Sequence, residues 1–166
     1  TKKLAGEALL TLAGHNYGVV DLAFSPDGTR LATASEDGTT KLWRVDVLES
    51  EAGATEIITL RGHPTGVSAV AFSPEGKRLV TGGDEGNIII WEINTIVRPS
   101  TRAVSTTISA HEGEIHDLAF SPDGARLATS GEDGTSSVWE VESGDRLLTV
   151  SGGDNDIYSV AFGPDG

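Results

Sequence analysis

The chain alternates short apolar stretches with polar turns. In the first group of stretches, apolar and β-branched residues fill positions 19–25, 31–35, 41–45 and 57–60, and Gly, Pro, Asp and Ser occupy the gaps. Short runs of this kind, bounded by turn residues, are typical of β-strands. An Asp-Gly turn at positions 37–38 predicts a tight hairpin between the second and third strands. Because no stretch longer than a turn has a helical period, the pattern predicts an all-β, antiparallel protein.

This group of strands is repeated along the chain. Residues 14–43 recur at 62–91 and 110–139, with a His-to-Trp separation of 28 residues in each copy, and a fourth copy occupies residues 152–166. A period of this size indicates a repeat architecture, in which each unit buries its faces against its neighbours. The predicted divisions are a strand in residues 1–13 that closes another unit, repeats at 14–61, 62–109 and 110–151, and the start of a fourth repeat at 152–166.

Composition restricts the function classes. The net charge of −13 argues against nucleic acid or an anionic membrane as the main partner. The sequence contains no Cys, so disulfides and thiolate metal sites are excluded, and a reducing, cytoplasmic location is expected. No apolar run reaches the roughly 18 residues that a membrane-spanning helix needs.

The repeated residues resemble the WD-repeat β-propeller family, and bacterial WD-repeat regulatory proteins in particular. Each full copy has a Gly-His or Ala-His pair, an FSPDG or FSPEG turn, an acidic residue in the tight turn, and a Trp six residues after it. The resemblance implies a partial propeller, with three complete four-stranded antiparallel blades and one strand at each end of the chain. The Asp of the Trp-Asp dipeptide that names the family is absent: Arg44, Glu92 and Glu140 follow the three Trp residues.

The resemblance also implies a buried hydrogen-bond network in each blade. It joins a His, a Thr of the second strand, a turn carboxylate and the Trp indole. The implied sets are His15, Thr33, Asp37 and Trp43; His63, Thr81, Glu85 and Trp91; and His111, Thr129, Asp133 and Trp139. Glu85 stands where Asp is expected, so its longer side chain must be aimed differently. His, hydroxyl and Asp also suggest a catalytic triad, but these sets recur in every blade with the Thr inside a strand. We therefore expect a structural network, with no catalytic, metal or cofactor site.

By the same resemblance, the residues beside each His and each turn carboxylate form a rim at one end of the channel. The rim residues are Tyr17, Glu36, Thr65, Asp84, Glu114, His116, Glu132, Asp156 and Tyr158. Aromatic residues are common binding anchors, and clustered carboxylates favour Lys or Arg on a partner. The alternative interpretation is that Glu36, Asp84 and Glu132 serve only the chemistry of the turns.

Two functional hypotheses follow. The first is a non-enzymatic scaffold that binds a protein or peptide, as the docking or sensor part of a multidomain regulatory protein. In this hypothesis the chain is a fragment of a larger propeller, and a second chain carries the remaining blades. The alternative is a propeller with a small-molecule, carbohydrate or catalytic site in its channel. That alternative requires functional residues that differ between blades, whereas the first and third copies are identical at 18 of the 25 positions compared, 21–45 and 117–141.

Overall fold

The structure is a computed structural model that describes residues 11–46, 53–93 and 104–166. The described residues form twelve strands and no helix. The strands are β1 (Val19–Phe24), β2 (Arg30–Ser35), β3 (Thr39–Asp46), β4 (Gly53–Arg61), β5 (Val67–Phe72), β6 (Arg78–Gly83), β7 (Asn87–Glu92), β8 (Val104–Ser109), β9 (Ile115–Phe120), β10 (Arg126–Gly131), β11 (Thr135–Glu140) and β12 (Arg146–Ser151). The prediction of an all-β fold is confirmed. Within these ranges, no helix has the length and hydropathy needed to span a membrane.

The strands form three separate antiparallel sheets of four. The first sheet has the order β1-β2-β3-β4, the second β5-β6-β7-β8 and the third β9-β10-β11-β12. The fourth strand of the first sheet starts at Gly53, four residues before its predicted start, because Val45 and Asp46 pair with Ala54 and Gly53. Backbone pairing does not require apolar side chains, so the hydrophobic pattern does not mark this end of the hairpin.

Neighbouring sheets pack face to face, and the Trp side chains are central to both interfaces. Trp91 and Leu79 of the second sheet pack with Leu42 and Leu60 of the first, and all four side chains are buried. Trp139 occupies the equivalent place between the second and third sheets. Burial of side chains of this size typically stabilises a fold by about 1.5–3 kcal/mol each. Each sheet therefore depends on its neighbour, as the repeat pattern predicts.

The two outward faces of this array remain apolar. On the first sheet, Leu22 and Phe24 are each 55% exposed, and on the third sheet Leu148 and Val150 are 54% and 53% exposed. The equivalent residues inside the array, such as Val70 and Leu60, are buried by a neighbouring sheet. The array is thus an open arc within the described residues, with both end faces of the kind that neighbouring sheets cover.

The fourth repeat lies against the third sheet without forming a strand ladder. Residues 157–162 are assigned to no strand, yet the Val160 N–H donates to Asp117 Oδ2 at 3.0 Å. The Arg126 guanidinium also lies 5.6 Å from the centre of the Phe162 ring. The segment lacks ladder pairing because the described residues offer no second strand beside it. The strand predicted in residues 1–13 and the polar insertions after Trp43 and Trp91 lie largely outside the described residues.

Candidate functional site: the tetrads and the rim

The third sheet brings its four predicted network residues into one continuous hydrogen-bonded chain, here called a tetrad. Trp139 Nε1 donates to Thr129 Oγ1 at 3.0 Å, Thr129 Oγ1 lies 2.7 Å from His111 Nε2, and His111 Nδ1 lies 2.9 Å from Asp133 Oδ1. Thr129 is fully buried and His111 nearly so. Strand β10 supplies the Thr, β11 the Trp and the turn between them the Asp. The tetrad therefore fastens the hairpin to the loop before β9.

One tautomer satisfies every group of this tetrad. If His111 Nδ1–H donates to the Asp133 carboxylate, Nε2 is free to accept the Thr129 hydroxyl proton, and the Thr oxygen accepts the indole N–H. Burial by itself would raise the pKa of Asp133. Hydrogen bonds from the Thr135 hydroxyl, His111 and two backbone N–H groups outweigh it and lower the pKa to about 2. The carboxylate thus stays ionised at neutral pH.

The first sheet has the same geometry. His15 Nε2 lies 2.8 Å from Thr33 Oγ1, Trp43 Nε1 donates to the same oxygen at 3.0 Å, and His15 Nδ1 lies 3.0 Å from Asp37 Oδ2. Burial would raise the pKa of Asp37, but hydrogen bonds from Thr39, the backbone N–H of Asn16 and His15 hold that pKa well below its ordinary value. Thr39, like Thr135 in the third sheet, is a fifth member that the sequence analysis did not include.

The second sheet completes its tetrad with the longer Glu85. His63 lies 2.7 Å from both Glu85 Oε1 and Thr81 Oγ1, and Trp91 Nε1 donates to Thr81 at 3.0 Å. In the other sheets a backbone N–H, from Asn16 or Glu112, donates to the turn Asp, but the equivalent residue here is Pro64, which has no N–H. The Thr65 hydroxyl donates to Glu85 Oε2 instead, at 2.5 Å. The longer Glu85 side chain therefore places its carboxylate against a different hydrogen-bond donor.

The hydroxyl oxygens of the tetrads are all engaged in hydrogen bonds. Each Thr oxygen already interacts with an indole N–H and an imidazole, and Thr81 and Thr129 are completely buried. A catalytic nucleophile needs an oxygen that is free of such hydrogen bonds and accessible to a substrate, and these oxygens are hydrogen-bonded and buried. In the part of the chain that the structure describes, no group of three or more His, Asp or Glu side chains is placed to hold a metal ion.

The rim is continuous from one sheet to the next. At the tight turn of the first sheet, a Cβ on Gly38 would lie 2.8 Å from the Thr65 carbonyl oxygen, and Gly38 has a φ of 76°. Only glycine tolerates both conditions without strain. Gly86 stands in the same relation to Gly113 O, at 2.8 Å, and Gly134 to Asn155 O, at 3.1 Å. Each turn therefore abuts the loop that begins the next repeat.

Eight of the nine predicted rim residues lie outside the strands, whereas His116 is the second residue of β9. Tyr17 and Tyr158 are each 70% exposed. Glu36, Thr65, Asp84 and Glu132 are exposed, whereas Glu114, His116 and Asp156 are partly buried. Glu36 and Asp84 lean over Gly18 and Gly66, which leaves no room for a Cβ at Gly66. The carboxylates are therefore packed on the loops as well as used in the turns.

Sequence reasoning missed the residues that link one sheet to the next. Asp21 Oδ2 accepts the Val70 N–H at 2.8 Å, and Asp117 makes the equivalent bond to Val160. Burial raises the pKa of Asp21, while the hydrogen bonds to its carboxylate oppose this effect. Arg30 Nη2 donates to Gly76 O at 2.7 Å and its guanidinium lies 5.7 Å from the centre of the Phe72 ring. The recurrence of Asp and Arg at equivalent positions in the first and third repeats was the available signal.

Consecutive four-stranded sheets, packed face to face and each fastened by a buried tetrad, define the class of β-propeller repeat proteins. The sequence model of the WD40 family, described as "WD domain, G-beta repeat", matches residues 6–44, 54–92 and 102–140, which together make up more than half of the chain. The chain belongs to the WD40 family. The sheets are therefore called blades below.

Known proteins share these repeats over short stretches. The chain is 55% identical over 38 residues to human WD repeat-containing protein 86, and 49% identical over 39 residues to enhancer of mRNA-decapping protein 4 of Danio rerio. It is 54% identical over 35 residues to the target of rapamycin complex subunit wat1 of Schizosaccharomyces pombe. Each match covers 21–24% of this chain and 3–11% of the relative.

A solved structure shares the fold. A crystal structure of the RRP9 WD40 repeats superposes with a TM-score of 0.75 at 24% identity, over 90% of this chain and 43% of that chain. The chain thus matches less than half of that propeller structure. The blade arrangement agrees with a partial propeller.

Proposed function

We propose that this chain is a non-enzymatic interaction module whose rim binds a protein or peptide. The observation that carries the proposal is the exposure of Tyr17 and Tyr158, each 70% accessible, on the line of turns and loops that holds the rim carboxylates. Large aromatic side chains are frequent anchors of binding interfaces. The curated relatives include a subunit of a protein complex by its printed name, which agrees with this class of function.

The charge of the rim favours a basic partner. Glu36, Asp84 and Glu132 are exposed on the rim, and the whole chain carries a net charge of −13. Carboxylates around aromatic anchors select Lys or Arg on a partner and accelerate its approach at low salt. We therefore propose a partner segment that carries both basic and apolar side chains.

We further propose that the chain acts as the docking or sensor part of a larger, cytoplasmic regulatory protein, with a second chain completing the propeller. The support for a second chain is the pair of apolar end faces, where Leu22, Phe24, Leu148 and Val150 are more than half exposed. Contiguous apolar faces of this kind mark contacts with another protein surface. Native mass spectrometry of the protein as isolated tests this part: a stable 17.3 kDa monomer would contradict it.

The rim proposal is tested with fluorescein-labelled peptides and fluorescence anisotropy. The probe is a peptide that alternates Lys or Arg with Leu, and its counterpart carries Glu in place of the basic residues. We expect the basic peptide to bind and the acidic one not to, with affinity falling as salt rises from 50 to 300 mM.

Three variants locate the binding. Tyr17→Ala and Tyr158→Ala should each weaken binding of the basic peptide about tenfold or more, as expected for interface anchors. Leu147→Ala is the matched control, because Leu147 is a similarly large exposed apolar residue (54%) on the outermost strand of the third blade. Equal affinity of all three variants and the wild type would show that the rim is not the binding surface.

A further inference from the structure

His116 occupies a β-bulge that directs its side chain toward residues 156–162 of the fourth repeat. In β9 the register passes from Ile115, opposite Gly131, to Asp117, opposite Ser130, and leaves His116 without a cross-strand partner. A bulge of this kind re-aims the side chain that it contains. The equivalent residue of the second blade shows the consequence, because Ser68 Oγ donates to the Ile115 carbonyl oxygen of the next blade at 2.7 Å. The bulge position is therefore a contact between repeats.

At His116 this contact is an aromatic stack with unused hydrogen-bonding capacity. The imidazole stacks on the Tyr158 ring with centroids 4.9 Å apart and 27° between the planes. Its side chain is only 14% exposed, and Nε2 is buried with no hydrogen-bond partner among the described residues. An unpartnered buried polar atom is uncommon in native proteins and calls for an explanation.

Two carboxylates flank the ring just beyond hydrogen-bonding distance. Glu114 Oε1 lies 3.9 Å from Nδ1, and Asp156 Oδ2 lies 3.8 Å from Nε2. Asp156 Oδ2 also accepts the Tyr158 hydroxyl at 3.0 Å, which with the negative charge of Asp156 raises the pKa of that phenol. A neutral imidazole has one N–H donor, whereas an imidazolium has two donors and a charge. The geometry therefore offers two acceptors to the protonated ring and leaves one of them unused by the neutral ring.

The other ionisable groups around the His116 ring are acidic. Asp117 follows His116 in β9, and its carboxylate accepts the Ser159 hydroxyl at 2.7 Å and the Val160 N–H at 3.0 Å. Glu132 lies in the turn between β10 and β11, and its Oε2 accepts the Glu114 N–H at 3.3 Å. The charge of Glu132 also contributes to the raised pKa of Tyr158. These groups are carboxyls and a phenol, which carry no positive charge in either protonation state. None of them therefore repels a positive charge on the ring.

We propose that His116, Tyr158, Glu114 and Asp156 form a proton-dependent latch that holds residues 156–162 against the third blade. The protonated imidazole pairs with Asp156 of the fourth repeat through Nε2 and with Glu114, two residues before it, through Nδ1, and the neutral imidazole keeps only the ring stack. Imidazole is the side chain whose charge mild acidification changes most readily, so acidification closes the latch. Because Tyr158 is an anchor of the proposed rim, the latch also regulates peptide binding, and this second consequence rests on the proposed function.

Amide hydrogen exchange of the 166-residue chain at pH 6 and pH 8 tests the latch. Rates are corrected for the intrinsic pH dependence of exchange and compared with amides of β10. We expect the Val160 amide, which donates to Asp117, to be roughly three- to tenfold better protected at pH 6 than at pH 8, relative to β10, as for a partly buried charged contact.

Two variants make the outcome decisive. His116→Gln removes the titrating group, and the double variant Glu114→Gln with Asp156→Asn keeps it but removes both carboxylates. Protection of the Val160 amide should be independent of pH in both variants. Equal protection of the wild type at the two pH values, or a pH dependence retained in His116→Gln, would overturn the latch. If exchange responds as expected while the basic peptide fails to bind at either pH, the latch stands and the proposed rim function fails.

Discussion

Thr129→Val should be among the most destabilising conservative substitutions in the third blade. Val has nearly the shape of Thr but cannot hydrogen-bond, so the Trp139 indole N–H and His111 Nε2 both lose their partner. Leaving a buried polar group unsatisfied costs about 1–3 kcal/mol, and Thr129 is fully buried, so the two losses sum to about 2–6 kcal/mol. The added methyl group offsets part of this, roughly 1 kcal/mol. We expect a net loss of about 3 kcal/mol, or a fall in Tm of about 6–12 °C.

The assay is urea unfolding followed by circular dichroism, with thermal unfolding of the same samples. Ser130→Ala is the matched control, because Ser130 is the next residue of β10, is equally buried, and has a hydroxyl with no partner among the described residues. Its removal should leave stability within about 1 kcal/mol of the wild type, on the stabilising side. If Thr129→Val unfolds within about 0.5 kcal/mol of the wild type, the tetrad does not stabilise the blade by its hydrogen bonds, and the reasoning fails.

Three further perturbations test other parts of the framework by the same denaturation assay. Glu85→Asp should cost about 1–2 kcal/mol, because the shorter side chain cannot reach both His63 and Thr65, and Pro64→Asn in the same chain should recover part of the loss by restoring a backbone N–H. The contribution of Asp133 to stability should be constant from neutral pH down to about 4 and then fall by roughly 2 kcal/mol as the pH drops toward 2. The reason is that folding lowers the pKa of Asp133 from 3.8 to about 2, so protonation removes the ionised form that the fold prefers. Asp133→Asn should abolish this pH dependence. Arg30→Met should cost about 1–2 kcal/mol through the lost bond to Gly76 and the lost stack on Phe72, whereas Arg44→Met, at an exposed position of β3, should have almost no effect.

The hydrophobic pattern predicts the order and antiparallel pairing of the twelve described strands because each strand is short and bounded by strong turn residues. It does not predict that β4 begins at Gly53, because polar residues can pair through the backbone alone. The tetrad residues could be named from the family resemblance, because the residues that carry it recur at the same positions in each repeat. The role of Thr65 could not, because it compensates for a missing N–H at Pro64 and a longer carboxylate at Glu85, and a hydroxyl beside a turn has no signature of its own.

The turn carboxylate of the tetrad is satisfied in two different ways, although every blade has the same hydrogen bonds among His, Thr and Trp. Asp37 and Asp133 use a backbone N–H, Glu85 uses a side-chain hydroxyl, and each arrangement satisfies the same imidazole. The β-bulge position in the first strand of each blade has no hydrogen bond that the blades share. It holds Val20, Ser68, His116 and, in the fourth repeat, Tyr158, four different chemistries in otherwise similar repeats. Because Ser68 and His116 contact the next repeat, and His116 and Tyr158 belong to the predicted rim, differences between blades at this position can change recognition without changing the fold. A Val20→Ser substitution should accordingly leave the unfolding midpoint nearly unchanged, and an effect on peptide affinity without an effect on stability would locate specificity at this position.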